Sequence, residues 1–257
     1  MKYSIIITEK DAASLNIYDA ILKEKLPKNA EIRKFDNESI YLDGIDKEVK
    51  GEILIFATRH RAASGKKSLT CHFPGNWDKA ELGGKGRKLC FVPASLLKAM
   101  FINLKKNAIN TDFEITLEAT HHGPDLDKPA MFIELGSSEK EWNDTNGGKI
   151  IAKTIVETLS KNIPERKTYI ALGSIHYPHD FNRIELETEI AISHHCPKYM
   201  LPNFDKEMLL QAISKSKEKC SGAIIDWKGM GDQKNRIIRL LNDSGINYIK
   251  SSDMLKE

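Results

Sequence analysis

The sequence predicts an α/β fold, with central strands covered on both faces. Short apolar runs alternate with amphipathic stretches along the whole chain, as units of strand and covering helix do. Several runs, Ile53-Leu54-Ile55-Phe56-Ala57 among them, are continuously apolar, which suits strands covered on both faces. No internal repeat and no low-complexity linker interrupts the alternation, so residues 1–257 read as a single α/β domain.

The expected strands are Tyr3–Thr8, Glu31–Phe35, Glu52–Thr58, Phe113–Thr120, Ala130–Leu135, Thr168–Gly173, Ala223–Trp227 and Ile246–Ile249. Between them, Leu15, Tyr18, Leu22 and Leu26 recur at helical spacing and predict a helix that Pro27 stops. Leu97, Met100, Phe101 and Leu104 predict another, and Ile151, Ile155 and Leu159 a third, following a turn at Asn146-Gly147-Gly148. Leu209, Leu210 and Ile213, then Ile237, Ile238 and Leu241, complete the set. The stretch 59–88 breaks the alternation. It is dominated by Gly, Ser, Lys, His and Pro, and reads as a long functional loop.

Composition excludes several classes. The chain has 40% hydrophobic and 29% charged residues, an ordinary globular balance. Lys+Arg 39 against Asp+Glu 36 gives a net charge of +3, which argues against wholesale polyanion binding but leaves room for a local basic face. No run approaches the roughly 18 apolar residues of a membrane span, and Ile5-Ile6-Ile7 is too short for a signal peptide. A cytoplasmic location is expected, with no membrane and no obligate protein partner. Cys71, Cys90, Cys196 and Cys220 are scattered without a Cys-x-x-Cys pair, so reduced thiols are expected.

The eight histidines carry the chemistry. His60, the pair His121-His122 and His176 each follow an expected strand. Ligands of open α/β sheets gather beyond the carboxyl ends of strands, so imidazoles brought there from separate strands suggest one site. His72 falls in the long loop, and His194-His195 end the apolar segment 189–193. Adjacent residues of an extended chain point to opposite sides, so His121 and His122 enter one site only if the Gly123-Pro124 turn redirects one of them. Imidazole serves as general base or neutral metal ligand. A group of such rings, with Glu118 and Glu134 nearby, suits zinc with an open position for water. Gly65-Lys66-Lys67-Ser68 lacks the earlier glycine of a phosphate-binding loop, and neither Gly-x-Ser-x-Gly nor His-Glu-x-x-His occurs. Positive charge concentrates in the irregular stretch. Arg59, Lys66, Lys67, Lys85 and Arg87 are the candidate phosphate contacts there, several beside flexible glycines.

Taken together, the residues resemble the archaeal and plant type of D-aminoacyl-tRNA deacylase over nearly the full chain. The resemblance is carried by residues 59–72, from Arg59-His60-Arg61 to Thr70-Cys71-His72, and by Pro74-Gly75-Asn76-Trp77. It continues through Glu118-Ala119-Thr120-His121-His122-Gly123-Pro124, Phe132-Ile133-Glu134-Leu135-Gly136-Ser137-Ser138-Glu139, His176-Tyr177, and His194 with Pro197-Lys198-Tyr199. It implies hydrolysis of the ester between a D-amino acid and the tRNA 3′ end, a Zn2+ requirement, and a three-layer α/β/α fold with a mixed, largely parallel central sheet, akin to phosphorylases and peptidyl-tRNA hydrolases. On this reading His121 or His122, with His176 and His194, ligates zinc or activates water. His60 and His72 hold the terminal adenosine or ester carbonyl, Glu118 and Glu134 bind the substrate amino group or orient a histidine, and the five cations contact tRNA. Gly173-Ser174-Ile175-His176-Tyr177 departs from the family's glycine-rich run, and His179 and His195 lie outside its motifs. The alternatives are a phosphorylase- or peptidase-like hydrolase of a small nucleoside or peptide, and a non-catalytic tRNA-binding protein.

Overall fold

The computed structural model describes residues 1–255. Its larger sheet is built from β1 (Tyr3–Thr8), β2 (Ala30–Phe35), β3 (Ile53–Arg59), β4 (Ser68–His72), β7 (Glu114–Leu117) and β8 (Ala130–Gly136). Their order in space is β2-β1-β3-β8-β4-β7. All neighbours pair parallel except β4 and β8, which run antiparallel. A short ribbon joins β5 (Gly75–Asn76) to β6 (Lys88–Leu89). The second sheet is fully parallel, in the order β10-β9-β11-β12, from β9 (Thr168–Leu172), β10 (Ala191–Cys196), β11 (Cys220–Ile225) and β12 (Tyr248–Lys250). Among the described residues eight α-helices accompany them: α1 (Ala12–Ile21), α2 (Ala94–Asn107), α3 (Glu139–Trp142), α4 (Thr145–Leu159), α5 (His179–Glu187), α6 (Lys206–Ser214), α7 (Lys234–Asp243) and α8 (Ser251–Met254). A mixed, largely parallel sheet flanked by helices is the α/β class that the sequence predicts.

Side-chain alternation splits the larger sheet into two unlike faces. Ile53, Ile55 and Ala57 of β3, with Met131, Ile133 and Leu135 of β8, pack into one core with α1, α2 and α4. On the other face Leu54, Phe56, Ala130 and Phe132 pack with Leu42, Ile45, Val49 and Leu126 from irregular segments. That second face turns polar one step along each strand, at Thr58 and Glu134, and the site forms there.

Several expectations need correction. The first helix ends at Ile21, well before Pro27, and buries Ala13, Ile17, Ala20 and Ile21; Leu22 is 59% exposed. Of the stripe read from Leu15, Tyr18, Leu22 and Leu26, Tyr18 and Leu26 pack against the core, partly buried, but the buried face runs through Ala13, Ile17, Ala20 and Ile21, where two small alanines carry little hydrophobic signal. Asn146-Gly147-Gly148 is the first turn of α4, whose N-cap Asp144 accepts from Asn146 N and Gly147 N. The stretch 59–88 is not one loop: β4 runs through it, buried between β8 and β7. Ser68, Thr70 and His72 alternate with Leu69 and Cys71 there, so the strand carries polar groups onto the polar face, and composition alone reads as a loop. No helix among the described residues is long and apolar enough to cross a membrane. The four cysteines are unpaired.

The reassigned face of α1 is checked by urea unfolding. Ile17→Ala leaves a cavity and is expected to destabilise by about 2–5 kcal/mol, whereas exposed Leu22→Ala stays within about 0.5 kcal/mol.

Candidate active site

Strand register assembles the site. Thr58 of β3, Glu134 of β8, Thr70 of β4 and Thr116 of β7 are successive partners across the sheet. One step away, Phe56, Phe132 and His72 form the next row, with stacked rings 4.6 and 4.8 Å apart. His60 continues β3 and lies against Gly136, where any Cβ would come within 2.6 Å of His60 Cβ. Because β4 and β7 run opposite to β3 and β8, the residues do not gather over one carboxyl edge as expected. His60 and Glu134 arrive from one direction, His72 and Glu118 from the other, and they meet on the sheet face.

The segment after β7 ties the two sheets together. Ala119 N donates to His176 O at 2.8 Å and Thr120 N to His195 O at 3.0 Å, which brings the loop after β9 beside the larger sheet. His122 adopts left-handed backbone, φ 46°, and leaves the extended path that would send its ring away from His121. Gly123 makes this turn possible: a Cβ there would lie 2.3 Å from Gly84 N. The rings of His72, His121 and His122 accordingly cluster with centroids 4.3–4.8 Å apart, and His176 stands 4.7 Å from His121.

Two buried carboxylates organise the charge. Glu118 Oε2 accepts from His176 Nε2 at 2.9 Å and lies 3.7 Å from His121 Nε2. His60 Nδ1 stands 3.2 Å from Glu118 Oε1 and 3.6 Å from Glu134 Oε2. Thr58 Oγ1 donates to Glu134 Oε1 at 2.9 Å, and His72 Nε2 lies 3.6 Å from Glu134 Oε2. Burial opposes charge on His60, but the two carboxylates outweigh it and push its pKa to about 10. Burial likewise opposes ionisation of the acids, and the neighbouring histidines overcome it, holding Glu134 at about 2 and Glu118 well below the carboxylate range. His122 is driven down to about 4, by burial first and by His72 second. His121 falls well below 6.5 for the same reason, with His122 and His72 repelling a proton.

Ring tautomers follow from the backbone. Nδ1 of His72, His121 and His122 faces a carbonyl oxygen at 3.3, 2.8 and 2.6 Å, those of Phe73, Ala119 and Gly123. A carbonyl only accepts, so each Nδ1 carries a proton, and Nε2 of His121 and His122 keeps its lone pair. Burial opposes charge on His72, but Glu134 beside its Nε2 outweighs it and raises its pKa. These three histidines form one group with metal-ligand spacing; Glu118, His121 and His176 form a second, and His60, Glu118 and Glu134 a third. A cleft of about 360 Å3 opens onto the cluster, with Tyr41, Arg61 and Leu82 on its outer side and His121, His122, His176 and Tyr177 within.

Other expected roles do not fit. His194 lies outside the cluster: its Nε2 faces Cys90 O at 3.0 Å, and its ring packs among Phe73 and Trp77. The side chains of His60 and His72 are 5% and 0% exposed, too enclosed to hold an adenosine. Those of Glu118 and Glu134 are 1% and 5% exposed and engaged by histidines, so they orient rings and are closed to a substrate amino group. The five candidate phosphate contacts are all paired: Arg59 with Glu38, Lys66 with Glu114, Lys67 with Asp112 and Asp144, Lys85 with Asp125, and Arg87 with Asp205 and Glu207. Arg61 is exposed at the mouth of the cleft. Sequence reasoning missed Thr58, Tyr177 and Tyr199 as site residues. Tyr177 Oη lies 3.1 Å from His60 Nε2 and Tyr199 Oη 3.1 Å from His176 Nδ1. The signal available for Thr58 was its position two residues before His60 on one strand face.

The D-aminoacyl-tRNA deacylase family matches residues 47–249. The D-aminoacyl-tRNA deacylase of Pyrococcus furiosus is 36% identical over 270 aligned positions, covering 96% of this chain and 98% of its own. That of Thermococcus onnurineus is 35% identical over 272, with coverage of 96% and 98%. Among solved structures, the crystal structure of AF0625, a conserved protein of unknown function, superposes with a TM-score of 0.92 at 27% identity. It covers 100% of this chain and 97% of its own. The family match spans every histidine and carboxylate of the cluster, and the relatives align over almost the whole chain: this protein belongs to the D-aminoacyl-tRNA deacylase family.

Proposed function

We propose that this protein hydrolyses the ester bond between a D-amino acid and the 3′ end of tRNA in the cytoplasm, with zinc held by His72, His121 and His122. The observation that carries the reading is the trio of imidazoles whose Nδ1 protons are fixed on backbone carbonyls. Locking the far nitrogen in this way orients a zinc-binding histidine and leaves Nε2 to the metal. The residues also fit a cation on a second count. His72 Nε2 and Glu118 Oε1 are buried without a hydrogen-bond partner among the described residues, and the ionised Glu134 beside His72 favours positive charge at that nitrogen. A metal at His72 Nε2 would take the place of a proton there, and three imidazole nitrogens are the donor set of a zinc centre with an open position.

Zinc bound there supplies a water with a pKa of about 7 and polarises an ester carbonyl. The protein's own groups do the rest. His176, partly open to the cleft and held by Glu118 through Nε2, accepts at Nδ1 the proton that the attacking water passes to Tyr199 Oη, 3.1 Å away, and returns it by the same hydroxyl to the departing ribose oxygen. Glu118 orients that ring and stabilises it when charged. His60, held protonated by two carboxylates, is no base; it keeps Glu118 and Glu134 ionised and donates through Nε2 to Tyr177. Tyr177 Oη, accepting from His60, keeps its own proton to donate to the carbonyl oxygen as negative charge develops. Selection of the D enantiomer falls to the shape of the cleft, which turns the other enantiomer's side chain into a wall.

The direct test compares deacylation of D-Tyr-tRNA and L-Tyr-tRNA with zinc supplied. Release of the D-amino acid at least about 100-fold faster is expected; equal rates, or none, overturn the reading. His72→Ala, His121→Ala and His122→Ala should each lose bound zinc on dialysis, read by elemental analysis. Glu134→Gln, one shell out, should weaken zinc affinity by about 10–100-fold. For the polyanion, Arg61→Ala should raise KM and lower the slope of log KM against log salt by about one. Lys85→Ala, already neutralised by Asp125, should change that slope less. A flat salt response in the native enzyme would instead favour a small-substrate hydrolase.

A further inference from the structure

Beside the cleft lies a second chamber of about 130 Å3, lined by Ala62, Ser64, Ser68 and Thr116, with Lys66 and Glu114 also on its wall. His60 and Tyr177 border both cavities. Their contact, Nε2 to Oη at 3.1 Å with rings edge-on, is the divide between them. The loop over the chamber is held down: Ala62 N donates to Ser137 O at 3.4 Å, and Ser137 Oγ donates to Lys66 O at 2.7 Å. The lining is therefore preformed. Ser68, on the same face of β4 as Thr70 and His72, is buried, and its hydroxyl is closed off from the chamber.

Resting on the deacylase reading, we infer that this chamber receives the amino-acid side chain of the ester, with the terminal nucleoside left to the larger cleft. Size assigns the two parts. A cavity of roughly 150 Å3 accommodates a benzene ring, so 130 Å3 takes a side chain of up to about one ring and is too small for a nucleoside. Ala62, Thr116 and the Tyr177 ring line it. The ester then lies across the His60–Tyr177 divide, within reach of the Tyr177 hydroxyl. Ala62 limits side-chain bulk.

The test measures kcat/KM on D-Ala-tRNA, D-Phe-tRNA and D-Tyr-tRNA for the native protein, Ala62→Leu and Ser64→Leu. Ala62→Leu fills the chamber and should cut activity on D-Tyr-tRNA and D-Phe-tRNA at least about tenfold while leaving D-Ala-tRNA within about twofold. Ser64→Leu, at an exposed position on the same wall, narrows the chamber and should act in the same direction; it carries the test if Ala62→Leu does not fold. Equal losses on all three substrates, or unchanged ratios, overturn the side-chain assignment while the deacylase reading stands. No turnover of any D-aminoacyl-tRNA by the native protein overturns the deacylase reading itself, and the assignment with it.

Discussion

Two carboxylates buried on the face of an otherwise apolar sheet demand positive charge, and that demand governs the arrangement around them. An isolated ionised carboxylate in such surroundings costs far more than any single contact in the fold returns. Here Glu118 and Glu134 stay ionised because His60 sits between them, with His176 and His72 on their outer sides. His60 in turn is held by the backbone: Trp142 Nε1 donates to its carbonyl at 2.8 Å, and the bare Gly136 lets β8 close onto its ring. Removing any one partner strands a charge in low dielectric, so the network is specified as a unit and its geometry leaves little slack.

That charged unit and the pair His121-His122 divide the work. Burial and repulsion from neighbouring histidines keep His121 and His122 neutral, while two carboxylates keep His60 charged. The sheet thus sustains imidazoles of opposite protonation state in one cleft. The difference comes from which nitrogen meets a carboxylate and which a carbonyl. A site with lone pairs on one side and a fixed proton donor chain through His60 and Tyr177 on the other is equipped for attack and for stabilising the charge that attack creates.

Most of this was legible in the residues as types and not as geometry. Strands β1, β2, β3, β8 and β9 could be read from apolar runs, and histidines just after strands marked the site. What escaped was direction. Nothing in Ser68-Leu69-Thr70-Cys71-His72 announces that it pairs antiparallel with β8, yet that pairing brings His72 to Glu134 and moves the site from a sheet edge to a sheet face. His194 misled because β10 reads like the other histidine-bearing segments, while its ring is used to join Cys90 O to the core. The carboxylate partners of the five cations were invisible for a similar reason: Glu38, Asp112, Glu114, Asp125, Asp144, Asp205 and Glu207 are remote in sequence.

Those pairs bear on how a polyanion could be met. Exposed ion pairs of this kind are worth little, about 0–1 kcal/mol each, and Lys66 and Lys85 are largely exposed within theirs. A phosphate can therefore exchange for a carboxylate at modest expense. The paired cations tether the irregular segments to the body of the protein: Arg87 to the start of α6, Lys67 to the N-cap of α4, and Lys85 to the turn beyond Gly123. The last of these links the glycine segment at 83–84, packed on Gly123, to the turn that aims His122 into the cluster. Contact with an anion at Lys85 would then be felt through one short run of backbone at a metal-ligand candidate, so the basic segment and the histidine trio are mechanically one structure.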